Sequence, residues 1–136
     1  MRKLLVTTAL AGSVAAGLAA APAANAATAT AETQSYGRAW SKLFSSDGKA
    51  YTNGVVKRRG HGVWQVTWRG YDRPGGKKGY AWFRYYKNGQ WKSRVAAWDG
   101  VTPPRTFTLR GISKLVTYTC WAGSTANCGK RLWLVK

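Results

Sequence analysis

The segment Gly79-Tyr-Ala-Trp-Phe-Arg-Tyr-Tyr-Lys-Asn-Gly-Gln-Trp-Lys-Ser-Arg-Val-Ala-Ala-Trp98 decides the fold. Asn88-Gly89 sits between two aromatic-rich runs. Asn-Gly favours a two-residue hairpin loop because both turn positions need a positive φ. With those residues at the turn, Tyr86 faces Trp91, Arg84 faces Ser93, Trp82 faces Val95 and Tyr80 faces Ala97 on one face. The other face pairs Tyr85 with Lys92, Phe83 with Arg94 and Ala81 with Ala96. The first face holds more large apolar groups, so it is expected to turn toward the core, with Arg84 snorkelling outward. The second face is then expected to show Phe83 and Tyr85 to solvent beside Lys87, Lys92 and Arg94.

The same alternation recurs to either side. In Val63–Arg69, Trp64, Val66 and Trp68 share one face, expected in the core, while Gln65, Thr67 and Arg69 share the other. Phe107 and Leu109 alternate with Thr106, Thr108 and Arg110. Val116, Tyr118 and Cys120 alternate with Leu115, Thr117 and Thr119, and a last strand is expected over 131–135. Turn signals separate these runs: Asp47-Gly48, Asn53-Gly54, Gly60-His61-Gly62, Arg73-Pro74-Gly75-Gly76, Asp99-Gly100, Pro103-Pro104 and Gly111. The pieces between them are too short for most helices. Short strands at this spacing predict an all-β chain, a small antiparallel β-sandwich (Ig-like or similar), with a small barrel as the alternative.

The N-terminal 26 residues read as an address. Arg2 and Lys3 precede an apolar, Ala-rich run, Pro22 ends it, and Ala24-Asn25-Ala26 has the small-x-small form of a cleavage site. A secretory signal peptide over 1–26 is expected, then a flexible tail over 27–35 and one domain over 36–136. No later stretch is apolar enough to span a bilayer, so no transmembrane segment is expected in the mature chain. The whole chain has 22 Lys+Arg against 4 Asp+Glu, a net charge of +18. Cleavage removes two of those cations and no acid, which leaves +16 on 110 residues. Those residues include only five Leu, eight Val and one Ile, against eight Trp, seven Tyr and three Phe in the chain, so the core has to be largely aromatic.

Cys120 and Cys128 suit an oxidising compartment and are expected to form a disulfide around the loop Trp121–Asn127. Two Cys and one distant His do not make a four-ligand zinc site. Neither a metal nor a cofactor is expected. Asp47, Asp72 and Asp99 stand in turn contexts, where Asp bonds its own backbone, and no two carboxylates are paired for glycoside hydrolysis. His61 lies between two glycines, and no nucleophile elbow, phosphate-binding loop or dinucleotide fingerprint occurs. No enzymatic activity is expected, a small hydrolase being the least favoured reading.

Binding is the better expectation. A +16 surface attracts polyanions through counterion release, and aromatics interleaved with cations suit stacking on sugars or bases. Candidate partners are wall polymers of the teichoic type, acidic polysaccharides, anionic lipid surfaces and nucleic acid. The candidate binding residues are Arg69, Phe83, Tyr85, Lys87, Lys92 and Arg94, with Arg69 joining only if the Val63–Arg69 strand pairs alongside the hairpin. Trp121 is either an exposed ring in the disulfide loop or a plug at the sandwich end. That constrained loop carries the alternative reading, a protein-binding module acting as an inhibitor or antagonist toxin. The charge could also serve export and solubility alone.

Two stretches carry a family resemblance. The Ala-rich leader ending in Ala24-Asn25-Ala26 resembles those of high-GC actinobacteria. Val116-Thr-Tyr118-Thr-Cys120 followed by Asn127-Cys128-Gly129 resembles the last strands of small secreted β-sandwich proteins from that group. The likeness covers about the final quarter of the chain. Those proteins are largely without assigned function, so the resemblance implies fold and extracellular export and carries over no functional residue.

Overall fold

A computed structural model describes residues 37–136. The expected signal peptide and N-terminal tail lie outside the described residues. Eight strands follow in order: β1 (Gly37–Phe44), β2 (Ala50–Arg58), β3 (Val63–Asp72), β4 (Gly79–Lys87), β5 (Gln90–Trp98), β6 (Arg105–Arg110), β7 (Lys114–Trp121) and β8 (Leu132–Val135). They form two antiparallel four-stranded sheets. Sheet A has the order β1-β2-β3-β6, and sheet B the order β5-β4-β7-β8. Neither sheet closes on itself, so the fold is the sandwich and not the barrel.

The β4–β5 hairpin has the register that Asn88-Gly89 dictates: Tyr86 opposite Trp91, Phe83 opposite Arg94, Gly79 opposite Trp98. Both turn residues take positive φ, 51° at Asn88 and 76° at Gly89. The faces are the reverse of the expected ones. Ala81 and Phe83 are buried, and Tyr85 packs against the core, while Tyr80, Trp82, Arg84 and Tyr86 point away from it. The reason lies outside the hairpin. Phe83 meets Phe107 edge-on at 5.0 Å and Trp68 at 5.8 Å, so rings from sheet A supply the bulk that the Ala81 face lacks. Strand β7 sets Leu115, Thr117 and Thr119 beside Tyr85, Phe83 and Ala81, and all three are buried.

Other alternations held. Val66 and Trp68 are buried and Trp64 packs partly buried against them. Phe107 and Leu109 are buried between exposed Thr106, Thr108 and Arg110. Asn53-Gly54 is not a turn but lies inside β2. Its glycine serves packing: a Cβ there would lie 2.6 Å from the Trp40 ring, which rests on the bare backbone. The sheets are joined by a bond between the hydroxyls of Thr52 and Thr119 at 3.0 Å. Arginines of one sheet also cap carbonyls of the other: Arg38 donates to Trp133, and Arg105 to Ala97 at 3.3 Å.

Cys120 and Cys128 are bonded to each other. Trp121 is buried in the core, which makes it the plug and not an exposed ring.

Candidate functional site

The expected binding residues divide among three places. Tyr85, Lys87 and Arg94 converge around a cleft of about 330 Å³, which Thr108, Leu109, Arg110 and Ile112 complete. The cleft opens between β4–β5 of sheet B and β6 of sheet A. Lys92, opposite Tyr85 on the same side of the exposed edge strand β5, lies on that face as well. Phe83 is not a stacking platform. It is 1 % exposed and belongs to the core, because the hairpin presents this face inward. Arg69 stands exposed on the far side of sheet A opposite Asn53, since β3 pairs with β2 and β6 and not with the hairpin.

The cleft collects cations for a topological reason. The inward face of β5 overhangs the edge of sheet A, so its polar members meet the β6 edge instead of a packed core. The Arg94 guanidinium lies 4.5 Å from the centroid of the Phe107 ring, a cation–π contact that places its charge at the rim. Arg110 ends β6 opposite Val63. Lys87 closes the hairpin next to the turn. Among the described residues no carboxylate lines the cleft. Three like charges around one opening repel one another and favour an anion there, more strongly than isolated surface cations would. Arg110 was missed in the sequence because its polar alternation with Leu109 reads as an ordinary solvent-facing position. Only the pairing of β6 at the sheet edge brings it to Arg94.

The outward face of sheet B is the larger surprise. It carries Trp82 parallel to Tyr118 (centroids 5.8 Å apart, planes at 10°), and Tyr86 edge-on to Trp91 at 5.4 Å. Trp91 in turn meets Trp133 at 6.1 Å. Cations lie over three of these rings: Arg84 on Trp91 at 5.7 Å, Lys114 on Tyr86 at 5.9 Å, and Arg131 on Tyr118 at 5.6 Å. Trp91 and Trp133 remain 42 % and 38 % exposed, although each is a large ring. Lys114, Trp133 and Lys136 border a shallow hollow of about 320 Å³ at the same end. Tyr86 and Trp91 adjoin Lys87 and Lys92 in the chain but point to the opposite face, so this surface and the cleft lie on the two sides of the hairpin.

The described acids have structural partners or none near these surfaces. Asp47 accepts from the Ser45 hydroxyl at 2.7 Å and the Lys49 amide at 3.2 Å. Slight burial works to raise its pKa, but those bonds and the Lys49 charge outweigh it and hold the carboxyl below its ordinary value. Asp72 accepts from the amides of Gly100 at 2.7 Å and Gly79 at 3.2 Å, which staples the β3 end to the start of β4. Burial nonetheless pushes its pKa up, outweighing those two bonds, and the Asp99 charge adds to the rise. His61 takes a positive φ of 49° in an exposed turn. Among the described residues no three His, Cys, Asp or Glu side chains group as a metal site would require. No helix of the described residues is long and apolar enough to cross a membrane.

Comparison with protein-family models, with curated proteins and with solved structures finds no match to this chain.

Proposed function

We propose that the protein is an exported, non-enzymatic binding domain whose partner is an anionic extracellular polymer, held by the cleft between β5 and β6. The observation that carries this reading is the convergence of Lys87, Arg94 and Arg110 on one opening, with no carboxylate of the described residues in its lining. Lys92 on the same face of β5 extends the positive field along the strand edge. The charge balance of the chain, 22 Lys+Arg against 4 Asp+Glu, supplies the long-range attraction that brings a polyanion to the surface. The cleft supplies the place where it is held.

The alternative of a protein-binding loop has less support. Trp121 is turned into the core, and the loop is tied to its surroundings by Ser46 donating to Asn127, and Ala122 to Lys78. That leaves the loop no exposed ring to anchor a partner.

The test compares Arg94→Ala/Arg110→Ala with Lys77→Ala/Lys78→Ala, which removes the same charge from an exposed loop away from the cleft. Binding to a sulfated polysaccharide is measured over a salt series. The cleft variant is expected to lower the slope of log affinity against log salt by about two units. Its affinity should also fall well below that of the loop variant. Equal losses would reduce the binding to diffuse attraction, and the cleft would have no role.

A further inference from the structure

The outward face of sheet B carries five rings that stand outside the main core, Trp91 and Trp133 exposed and the other three partly buried. We propose that this face is a stacking platform for sugar rings, so that the anionic polymer of the preceding reading, on which this inference rests, is an acidic polysaccharide. Five rings take part: Trp82, Tyr86, Trp91, Tyr118 and Trp133. They span all four strands, since Trp91 is on β5, Trp82 and Tyr86 on β4, Tyr118 on β7 and Trp133 on β8. A broad face of this kind suits an extended ligand laid across it. The C–H faces of pyranose rings pack on π faces, while carboxylates or sulfates between them meet Arg84, Lys114 and Arg131.

Three observations favour this occupant. First, the cations are mixed with the rings at 5.6 to 5.9 Å and do not surround them as a rim. Pressing this face into a bilayer would drag Arg84 into the hydrocarbon with Trp91, at a high cost. Second, Trp91 and Trp133, the two rings of this face that are exposed, meet at 64° and so offer no parallel pair to clamp a flat base. Third, five rings stand against three ring-bound cations, whereas a single-stranded nucleic acid brings one charge with every base. A polymer in which neutral rings alternate with charged ones fits that ratio better. A second copy of the chain is disfavoured as occupant, because each copy carries the same large positive charge.

The experiment uses the full chain and three probes: hyaluronan (neutral sugar rings alternating with charged ones), inorganic polyphosphate (charge without rings) and oligo-dT (charge with bases). Wild type is compared with Trp91→Ala and with Trp91→Ala/Trp133→Ala. The single variant lies on an exposed edge strand, and circular dichroism checks that both variants fold. The double variant is expected to lose about ten-fold or more in affinity for hyaluronan, the scale of ring stacking. That loss should persist at about 1 M salt, where charge attraction is screened within about 3 Å. Polyphosphate affinity should be unchanged. Equal losses for polyphosphate would overturn the platform, and a larger loss for oligo-dT would overturn the polysaccharide in favour of a nucleic acid. If instead the ring variants behave as expected while Arg94→Ala/Arg110→Ala binds as wild type, the cleft reading fails and the platform stands.

Discussion

The indole of Trp98 fills the space that a side chain on Gly70 would occupy. A Cβ built on Gly70 would lie 2.4 Å from the ring, and one on Gly79 would also lie 2.4 Å from it. Gly70 belongs to sheet A and Gly79 to sheet B, so the ring is clamped between the backbones of the two layers. Neither glycine has a positive φ, so each is required by the close approach alone. Gly70→Ala is expected to destabilise by about 1–3 kcal/mol through overpacking, read as a lower melting temperature. An unchanged midpoint would mean that the layers can slide apart without loss.

Trp68 and Trp64 share a face of β3 but not an environment. Trp68 is 2 % exposed, whereas Trp64 is only partly buried and lies beneath the Arg58 guanidinium at 5.9 Å. Trp68→Ala is expected to cost about 3–5 kcal/mol in denaturant unfolding, the range for emptying a core aromatic site. Trp64→Ala should cost clearly less, and Thr67→Ala on the outward face less than about 0.5 kcal/mol. Equal costs for the two tryptophans would contradict their burial.

Thr52 and Thr119 share their hydroxyl bond inside the core, where Trp40 Nε1 also approaches Thr52 Oγ1 at 3.4 Å. Thr119→Val should destabilise by about 1–3 kcal/mol, because the remaining hydroxyl is left buried with one partner fewer. The double variant Thr52→Val/Thr119→Val should be less destabilised than the two single losses added together, a coupling that a double-mutant cycle measures. Strict additivity would show that the bond contributes nothing.

Asp72 gives the stability a recognisable pH signature. Burial raises its pKa in the folded state above the ordinary value of 3.8, so the folded protein binds that proton more tightly than the unfolded chain. Stability contributed by this group therefore increases as pH falls from neutral through the raised pKa toward 3.8. Asp47 acts in the opposite sense: its depressed pKa contributes stability above 3.8 that is lost as pH falls through the folded value. Thermal melts of wild type against Asp72→Asn should diverge across the first window, with only the wild type gaining. Parallel curves would remove Asp72 from the account.

The hairpin register was fully legible in the sequence because a two-residue turn leaves one pairing possible, and Asn88-Gly89 names the turn. The orientation of the hairpin was not. Which face turns inward depends on what the opposing layer offers, and Phe107 and Trp68 come from strands that no local pattern ties to Phe83. The alternation of Val66 with Trp68 and of Phe107 with Leu109 was readable because each flanking position is polar. In β7 both alternating sets are largely buried, one in the core and the other under the outward rings and the disulfide loop, so alternation there carries no direction. The candidate site was legible in part. Tyr85, Lys87 and Arg94 do converge, through the register, whereas Arg69 and Phe83 depended on layer geometry. The outward aromatic face was visible as residues but was assigned to the core, since large apolar rings on a strand ordinarily lie there.

The loop closed by Cys120–Cys128 presses Gly129 so tightly on the end of β1 that no side chain fits: a Cβ there would lie 1.8 Å from the Phe44 carbonyl oxygen. Ser46 donates to Asn127 at the same seam, and Arg38 reaches Trp133 across 95 positions of the chain. The bonds that tie the first strand and the turn after it to the other layer thus reach residues near the end of the described chain. A polypeptide that emerges N-terminus first can pair β1 with β2 early, yet the seam has to wait until residues near 130 are out. Such distant pairings fold slowly, because their loop entropy is lost before the contacts reward it. Closure of this seam is therefore expected to be a late step in folding, after β1 and β2 have paired.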